Sequence, residues 1–373
     1  MSRFPSRRMC LSTLGCIFPA LLSSGARGVS SAESLPSLRD VAASRGIRFG
    51  AAPYGYPPVF TPDYDRLVVE QCAMIAPVLN WAQITPKPGE FRIGTDGGVV
   101  AMARSCRMPL TGAHLLWYEA MPGWLHSIPD PAVARALITD HIRLMGRTYG
   151  DAMWSVNVIN EALNPRDGRG DGLRRDAFSR LFGASYWDFA FRAARQAFPR
   201  SLLVYNENGM EQDTGDMVAK RAALLRQIDA LRRSGAPIDA VGLQAHLFLG
   251  KPFDAAGYRT FLREIAARGL RIIISELDVM DIQAPAAIAV RDRAVAEVYR
   301  RYLEVALSEP AVVALVVWGL SDRYTWLTPQ YNKSFARRDG LPARPLPFDD
   351  ELRPKPAFNA ILEALRAAPQ RSG

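Results

Sequence analysis

Two glutamates, Glu161 and Glu276, close apolar runs in which a buried carboxylate is hard to explain except by chemistry. The runs are residues 154–160 and 271–275; both are short, rich in β-branched side chains and bounded by loop signals. This pattern is typical of strands from a sheet that is covered on both faces. A structural glutamate, salt-bridged in the core, is the alternative for either residue alone. Because ionised carboxylates are seldom buried without a partner, two of them at strand ends favour acid–base or nucleophilic chemistry.

The order of elements predicts where these glutamates lie. Strand-like runs occur at residues 47–52, 74–79, 108–117, 154–160, 202–206, 240–247, 271–279 and 312–320. Amphipathic stretches with helix signals separate them, and one begins with Asp130 as N-cap, has Pro131 in its first turn and continues to Tyr149. Eight alternating units predict a single-domain α/β protein, a (β/α)8 TIM barrel. A doubly wound open sheet is the alternative, but it would need a Gly-rich phosphate loop after its first strand, and residues 50–53 do not form one.

The carboxyl ends of barrel strands gather functional residues at one mouth of the barrel. Glu161 closes predicted strand four and Glu276 closes predicted strand seven. The barrel therefore predicts that both carboxyl groups face the same mouth.

Four ordered segments resemble the signatures of a known family. They are Asn160-Glu161, Val-Gly-Leu-Gln-Ala-His-Leu at 241–247, Ser-Glu-Leu-Asp at 275–278, and Val-Trp-Gly-Leu-Ser-Asp at 317–322 with Trp326. Together they are similar to the successive motifs of glycoside hydrolase family 10, the endo-β-1,4-xylanases. Weaker similarity lies in Tyr205-Asn206 at predicted strand five, and the resemblance extends from about residue 40 to residue 367.

The resemblance implies a retaining glycosidase with Glu161 as acid/base and Glu276 as nucleophile. Such enzymes place two carboxyl groups about 5 to 5.5 Å apart. It also implies that His246 touches the nucleophile and is oriented by Asp278.

Two amide side chains have implied roles near the same centre. Asn160 matches the family residue that bonds the 2-hydroxyl of the sugar, a contact that strengthens in the transition state. Gln244 is expected to line the cleft near the acid/base.

Tryptophans supply candidate sugar platforms. Trp117, Trp318 and Trp326 stand at strand ends, where their rings can stack on the apolar faces of pyranose rings. Trp81 keeps the family position after strand two and joins them as a candidate substrate-binding residue. The alternative for each is a core or rim aromatic residue.

The segment after predicted strand two departs from the family pattern. The family has Glu-Asn-x-x-Lys-Trp where this chain has Ala-Pro-Val-Leu-Asn-Trp, so Ala76, Pro77 and Asn80 replace polar groups that hold sugars. The reaction chemistry is therefore expected to be intact, while the sugar-binding positions are altered.

Predicted strand three departs as well. The family's Gly-His-Thr-Leu-x-Trp-His becomes Gly-Ala-His-Leu-Leu-Trp-Tyr, which puts Ala113 in place of the usual histidine. His114 could substitute only if the strand register slipped by one residue, which turns a side chain to the opposite face. The space beside Ala113 could admit a bulkier ring substituent, such as the hydroxymethyl group that distinguishes glucose from xylose.

The N-terminus resembles an export signal. Arg7-Arg8 precedes an apolar stretch and a small-residue exit, which predicts a twin-arginine signal peptide over residues 1–32 and a catalytic domain over 33–373. A lipoprotein site at Cys16 is the weaker alternative. The expected location is periplasmic or extracellular.

Composition agrees with one soluble domain. The 373 residues are 49% hydrophobic, enough to bury a barrel core, and the net charge of +9 falls to +5 without the four leader arginines. No nucleic-acid motif or metal-ligand spacing is visible, so we expect no nucleic-acid partner, no metal and no cofactor. The mature form is expected to be a monomer without a membrane segment, and its Cys72 and Cys106 to be free buried thiols.

Three functions remain open at this stage. The favoured one is a secreted retaining endo-β-1,4-glycanase with a polysaccharide or oligosaccharide substrate, xylan by default. The second uses the same mechanism on another β-linked backbone, such as a glucan-type bacterial exopolysaccharide. The third is a carbohydrate-binding pseudoenzyme, which has no use for a matched acid and nucleophile.

Overall fold

A computed structural model describes residues 35–53 and 59–371. The chain from Ser37 to Gly373 forms one compact unit. The predicted leader, with Arg7 and Arg8, lies outside the described residues. In the part described, no helix is long and apolar enough to cross a membrane.

Nine strands and eleven α-helices make up the described chain. The strands are β1 (Arg48–Ala51), β2 (Met74–Ile75), β3 (Leu116–Trp117), β4 (Ser155–Asn160), β5 (Leu202–Glu207), β6 (Ala240–Leu243), β7 (His246–Phe248), β8 (Arg271–Met280) and β9 (Val312–Val317). The helices are α1 (Leu38–Ala43), α2 (Pro62–Gln71), α3 (Trp81–Ile84), α4 (Val99–Ser105), α5 (Pro131–Tyr149), α6 (Ala177–Phe182), α7 (Ser185–Ala197), α8 (Gly215–Ser234), α9 (Ala255–Ala267), α10 (Ile288–Ala306) and α11 (Pro356–Ala367). Three short 3-10 helices cover Gly123–Ser127, Pro165–Asp167 and Asp322–Tyr324.

The strands form a parallel ring. The sheet order is β2-β1-β9-β8-β6-β5-β4-β3, and β7 pairs with β8 beyond the end of β6. Leu110 bridges Ile75 on one side and Met153 on the other, which joins the two ends of this order. The predicted (β/α)8 barrel is confirmed.

Strand alternation separates two apolar layers. Along β9, Ala314 and Val316 belong to a small cluster that fills the barrel, whereas Leu315 and Val317 belong to the larger cluster under the helices. This period of two is the geometry of a pleated strand. The two glutamates therefore lie at the rim of a filled barrel rather than of an open channel.

Helix α5 follows the sequence prediction from end to end. Asp130 caps it by accepting a hydrogen bond from the Ala132 amide at 2.8 Å, and Pro131 occupies the first turn. Its buried face includes Ile138 and Ile142, spaced one turn apart.

Three predicted strands differ in the structure. Predicted strand three is reduced to the Leu110 bridge and β3, and predicted strand six breaks at Ala245, which has a left-handed φ of 60° and separates β6 from β7. Predicted strand two, residues 74–79, is reduced to β2 (Met74–Ile75), whereas predicted strand seven, residues 271–279, is confirmed as β8, which continues four residues beyond Glu276. The two predicted free cysteines are unpaired, with Cys72 buried, but Cys106 is exposed, contrary to expectation.

Candidate active site

Backbone irregularities turn both glutamates towards the barrel mouth. Glu161 directly follows β4 and has a left-handed φ of 56°, so it does not continue the alternation of that strand. In β8 the pairing with β9 skips a residue between Ile274 and Leu277. This β-bulge lets Ser275 and Glu276 both face inward, although they are consecutive.

Glu161 is almost fully buried but hydrogen-bonded. Its Oε1 accepts from Gln244 Nε2 at 2.8 Å and its Oε2 from Trp117 Nε1 at 3.0 Å. Burial raises the pKa of Glu161 to about 7, helped by the negative charges of Glu207 and Glu276 and opposed by the two donors. A carboxyl group with such a pKa can hold a proton near neutral pH and release it during a reaction.

Side-chain nitrogen atoms of Asn206 and His246 surround the carboxyl group of Glu276. Asn206 Nδ2 donates to Oε1 at 2.8 Å, and His246 Nε2 lies 3.2 Å from Oε2. The other ring nitrogen of His246 is 2.9 Å from Asp278 Oδ1, and Trp326 Nε1 donates to Asp278 Oδ2 at 2.6 Å. His246 therefore contacts Glu276 and Asp278 at once.

The charge of His246 follows from its two acidic neighbours. Burial disfavours the imidazolium, but the carboxylates of Asp278 and Glu276 raise the pKa of His246 well above its usual value. We therefore treat His246 as a cation held between two carboxylates.

Asn206 links the two glutamate-bearing strands and was not among the predicted site residues. Its Nδ2 donates to Asn160 Oδ1 at 2.8 Å as well as to Glu276, while its Oδ1 accepts from Ser275 Oγ at 2.7 Å. The signal was available, because Tyr205-Asn206 belongs to the resemblance and ends predicted strand five. The buried Asn160 Nδ2 has no partner among the described residues, so its N–H groups are left to donate to a ligand.

The tryptophans divide into two groups. Trp117, Trp318 and Trp326 are half-buried around the glutamates, and the rings of Trp318 and Trp326 lie 6.2 and 5.1 Å from that of His246. Trp81 is only 1% exposed and stacks on His141 at a centroid distance of 4.1 Å. Its predicted role as a sugar platform is wrong, because no ring face is open to a ligand.

The structure also shows what the residues at the altered sugar-binding positions contact. Asn80 uses its side chain to cap α3, accepting from the Ala82 amide at 3.0 Å, so its oxygen is already engaged. A cavity of about 10 Å³, lined by Ala76, Pro77, Ala113, His114 and Glu276 among others, lies beside the second glutamate. That volume suits one water-sized group. The predicted space beside Ala113 is thus too small for a whole hydroxymethyl group.

Among the described residues, Glu161 and Glu276 do not belong to a group of side chains placed to share a metal ion. Within residues 35–53 and 59–371, one group of acidic side chains lies close enough together to share an ion: Asp349, Asp350 and Glu351. Asp349 already pairs with Arg353 at 2.8 Å, and exposed acidic groups of this kind are common without an ion.

Comparisons with known proteins identify relatives. The family model described as glycosyl hydrolase family 10 matches residues 37–364. Endo-1,4-beta-xylanase C of Phanerodontia chrysosporium is 28% identical over 292 residues, which is 78% of this chain and 68% of that protein. Endo-1,4-beta-xylanase B of Thermotoga neapolitana is 28% identical over 291 residues, which is 77% of this chain and 78% of that protein.

Solved structures show the same fold. Native xylanase 10B from Thermotoga maritima has a TM-score of 0.78 at 26% identity, covering 88% of this chain and 98% of that chain. Xylanase 10B from Thermotoga petrophila in complex with xylobiose has a TM-score of 0.78 at 25% identity, covering 89% and 98%.

Proposed function

This chain belongs to glycosyl hydrolase family 10, whose model matches residues 37–364, and we propose that it is an exported retaining endo-β-1,4-glycanase with xylan as its default substrate. The observation that carries the proposal is the contrast between the two carboxyl groups. Burial raises the pKa of Glu161 to about 7, so this group can carry a proton near neutral pH, whereas Glu276 accepts a hydrogen bond from Asn206 and lies beside the cationic His246. That contrast is what an acid and a nucleophile require.

In the first step, Glu276 attacks the anomeric carbon as the bond to the leaving sugar breaks. Glu161 gives its proton to the leaving oxygen, and a covalent glycosyl ester forms on Glu276. The free Nδ2 of Asn160 is suited to bind the 2-hydroxyl of the reacting sugar.

In the second step, Glu161 acts as a base. It takes a proton from water, the water oxygen bonds to the anomeric carbon, and the electron pair of the ester bond returns to Glu276. His246, oriented by Asp278, supplies positive charge beside the returning carboxylate. Two displacements at one carbon leave the β configuration unchanged.

Xylan is supported by the names of the relatives and by the three half-buried tryptophans at the mouth. The altered residues Ala76, Pro77 and Ala113 present apolar groups beside Glu276 where the family pattern has polar ones. The loss of these polar groups leaves a second candidate, in which the same mechanism acts on a glucan-type backbone whose hydroxymethyl group would have to lie away from Ala113. A pseudoenzyme is the least favoured function, because both carboxyl groups and their partners are retained.

Export belongs to the same proposal. Residues 1–32, with Arg7-Arg8, would direct the folded chain through a twin-arginine route, and residues 33–373 would form the mature, monomeric catalytic domain.

Activity assays on Glu276→Ala and Glu161→Ala test the proposed roles. Glu276→Ala is expected to abolish turnover of every substrate. Glu161→Ala should slow substrates with poor leaving groups most, and azide should partly restore activity with good leaving groups, because azide attacks the ester without a base.

Glu304→Gln, on the exposed face of α10, is the matched control and should behave like the unmodified enzyme. A Glu276→Ala enzyme with near-normal rate would overturn the assignment. Absence of hydrolysis by the unmodified protein on xylans, glucans and exopolysaccharides would favour the pseudoenzyme.

A further inference from the structure

The backbone opposite Asn157 contains one extra residue. The Asn157 amide donates to the Gly112 carbonyl at 2.8 Å, and the Asn157 carbonyl accepts from the Leu115 amide at 2.9 Å. In a regular parallel ladder the two partners of one residue are two positions apart. Here they are three apart, and Gly112 and Ala113 both have left-handed φ values, 87° and 55°. The backbone therefore contains the one-residue register slip that His114 needs in order to take the place of the histidine lost at Ala113. The sequence alone could not establish this slip.

The slip turns His114 towards Glu276. His114 is 9% exposed, and its Nε2 lies 4.0 Å from Glu276 Oε1. Its Nδ1 lies 3.2 Å from Asn157 Nδ2, and an amide nitrogen can only donate. Nδ1 is therefore the acceptor, so the neutral ring carries its proton on Nε2, the atom nearest the carboxylate.

The neutral state of His114 follows from its surroundings. Burial lowers the pKa of His114, and the charge of Glu276 only partly opposes this effect. Among the described ionisable groups, the charge of Glu276 also acts on Glu161, and the cationic His246, which contacts Asp278 through its other nitrogen, lies at the opposite oxygen of Glu276, Oε2. Glu276 thus has an imidazolium at one oxygen and a neutral N–H, together with the Asn206 amide, at the other.

We propose that His114 is a positioning residue for Glu276, held by Asn157 so that its Nε2–H stabilises the carboxylate when the glycosyl ester is hydrolysed. This inference rests on the proposed function. During hydrolysis the ester oxygen leaves the anomeric carbon with its electron pair, water supplies the new oxygen, and Glu161 accepts the water proton. Negative charge then returns to Glu276, and a nearby N–H dipole favours the state in which that charge is present.

The test measures ester hydrolysis by itself. The 2,4-dinitrophenyl 2-deoxy-2-fluoro glycosides of xylobiose and cellobiose trap the ester, and the rate at which activity returns after removal of excess reagent reports the second step. His114→Gln places an amide nitrogen where Nε2 was, whereas His114→Asn reaches only the Nδ1 position. His114→Leu has no nitrogen atom at either position.

His141→Gln is the matched control, because His141 is also a buried histidine but packs on Trp81 rather than on either glutamate. Thermal unfolding of each variant separates loss of the fold from loss of the contact. Reactivation should fall about tenfold in His114→Leu and His114→Asn, and stay within roughly threefold of the unmodified rate in His114→Gln and His141→Gln.

Equal reactivation rates in the Leu, Asn and Gln variants would overturn the proposal for His114 while leaving the proposed function in place. If neither reagent inactivates the unmodified enzyme, the proposed retaining function fails first, and the role of His114 with it.

Discussion

Replacing Gln244 by Met is expected to move the alkaline limit of activity upward. Gln244 Nε2 donates to Glu161 Oε1 at 2.8 Å and so favours the ionised carboxylate. Met has a similar size and no donor. Since the proposed mechanism needs Glu161 protonated, a variant that holds the proton more tightly stays active at higher pH.

The size of the shift follows from this contact. The pKa of Glu161 is about 7 with both donors in place. A hydrogen bond to a charged group is worth about 1.5 kcal/mol or more, and one pKa unit corresponds to about 1.4 kcal/mol. The basic limb of the kcat/KM profile should therefore move up by about one pH unit.

The assay is the pH dependence of kcat/KM, which reports ionisations of the free enzyme. Trp117→Phe removes the second donor to Glu161, 3.0 Å away, and should shift the limb in the same direction. Glu207→Gln should shift it down, because the buried Glu207 carboxylate raises the pKa of Glu161 by repulsion. These opposite signs separate a change of pKa from a general loss of activity.

A basic limb that stays in place in Gln244→Met, or moves down, would refute the reasoning. So would equal upward shifts in Gln244→Met and Glu207→Gln, because a donor and a repelling charge cannot act on one carboxyl group with the same sign.

Three further predictions concern stability, export and specificity. Folding raises the pKa of Glu161 from 4.5 to about 7, so the native state binds the extra proton and the protein loses stability as the pH rises between these values. In denaturant unfolding, Glu161→Gln should be more stable than the unmodified protein by about 3 kcal/mol at about pH 8 and nearly unchanged at about pH 4. Changing Arg7 and Arg8 to Lys should leave the folded precursor in the cytoplasm of a twin-arginine-competent bacterium, and unchanged export would point to another route. On xylohexaose, kcat/KM should be roughly tenfold to a thousandfold below that of typical family members, because two or three sugar contacts are lost at the altered positions; strong xylohexaose turnover without cellohexaose activity would show that specificity was not redirected.

The regular parts of the barrel were predictable from the sequence. Periodicity and capping located α5 and most strands, since Asp130, Pro131 and the β-branched runs act within a few residues of one another. Local patterns also placed Glu161 and Glu276 at one mouth.

The irregular parts were not predictable, because tertiary pairing determines them. The extra residue before Leu115 reverses the side on which His114 lies, and periodicity alone assigns that side incorrectly. Trp81 resembled a sugar platform by position, but the partner that covers it, His141, lies about 60 residues away on α5. A contact between two such distant segments cannot be read from the local sequence around Trp81 or around His141.

The stereochemistry of the first product tests the central claim most directly. Proton NMR of a soluble β-1,4-oligosaccharide during early hydrolysis resolves the α and β anomers before they interconvert. Two displacements, through an ester on Glu276, predict that the β anomer appears first and the α anomer grows in only by mutarotation. Initial formation of the α anomer would contradict the account, because it requires direct attack by water and leaves Glu276 without a nucleophilic role.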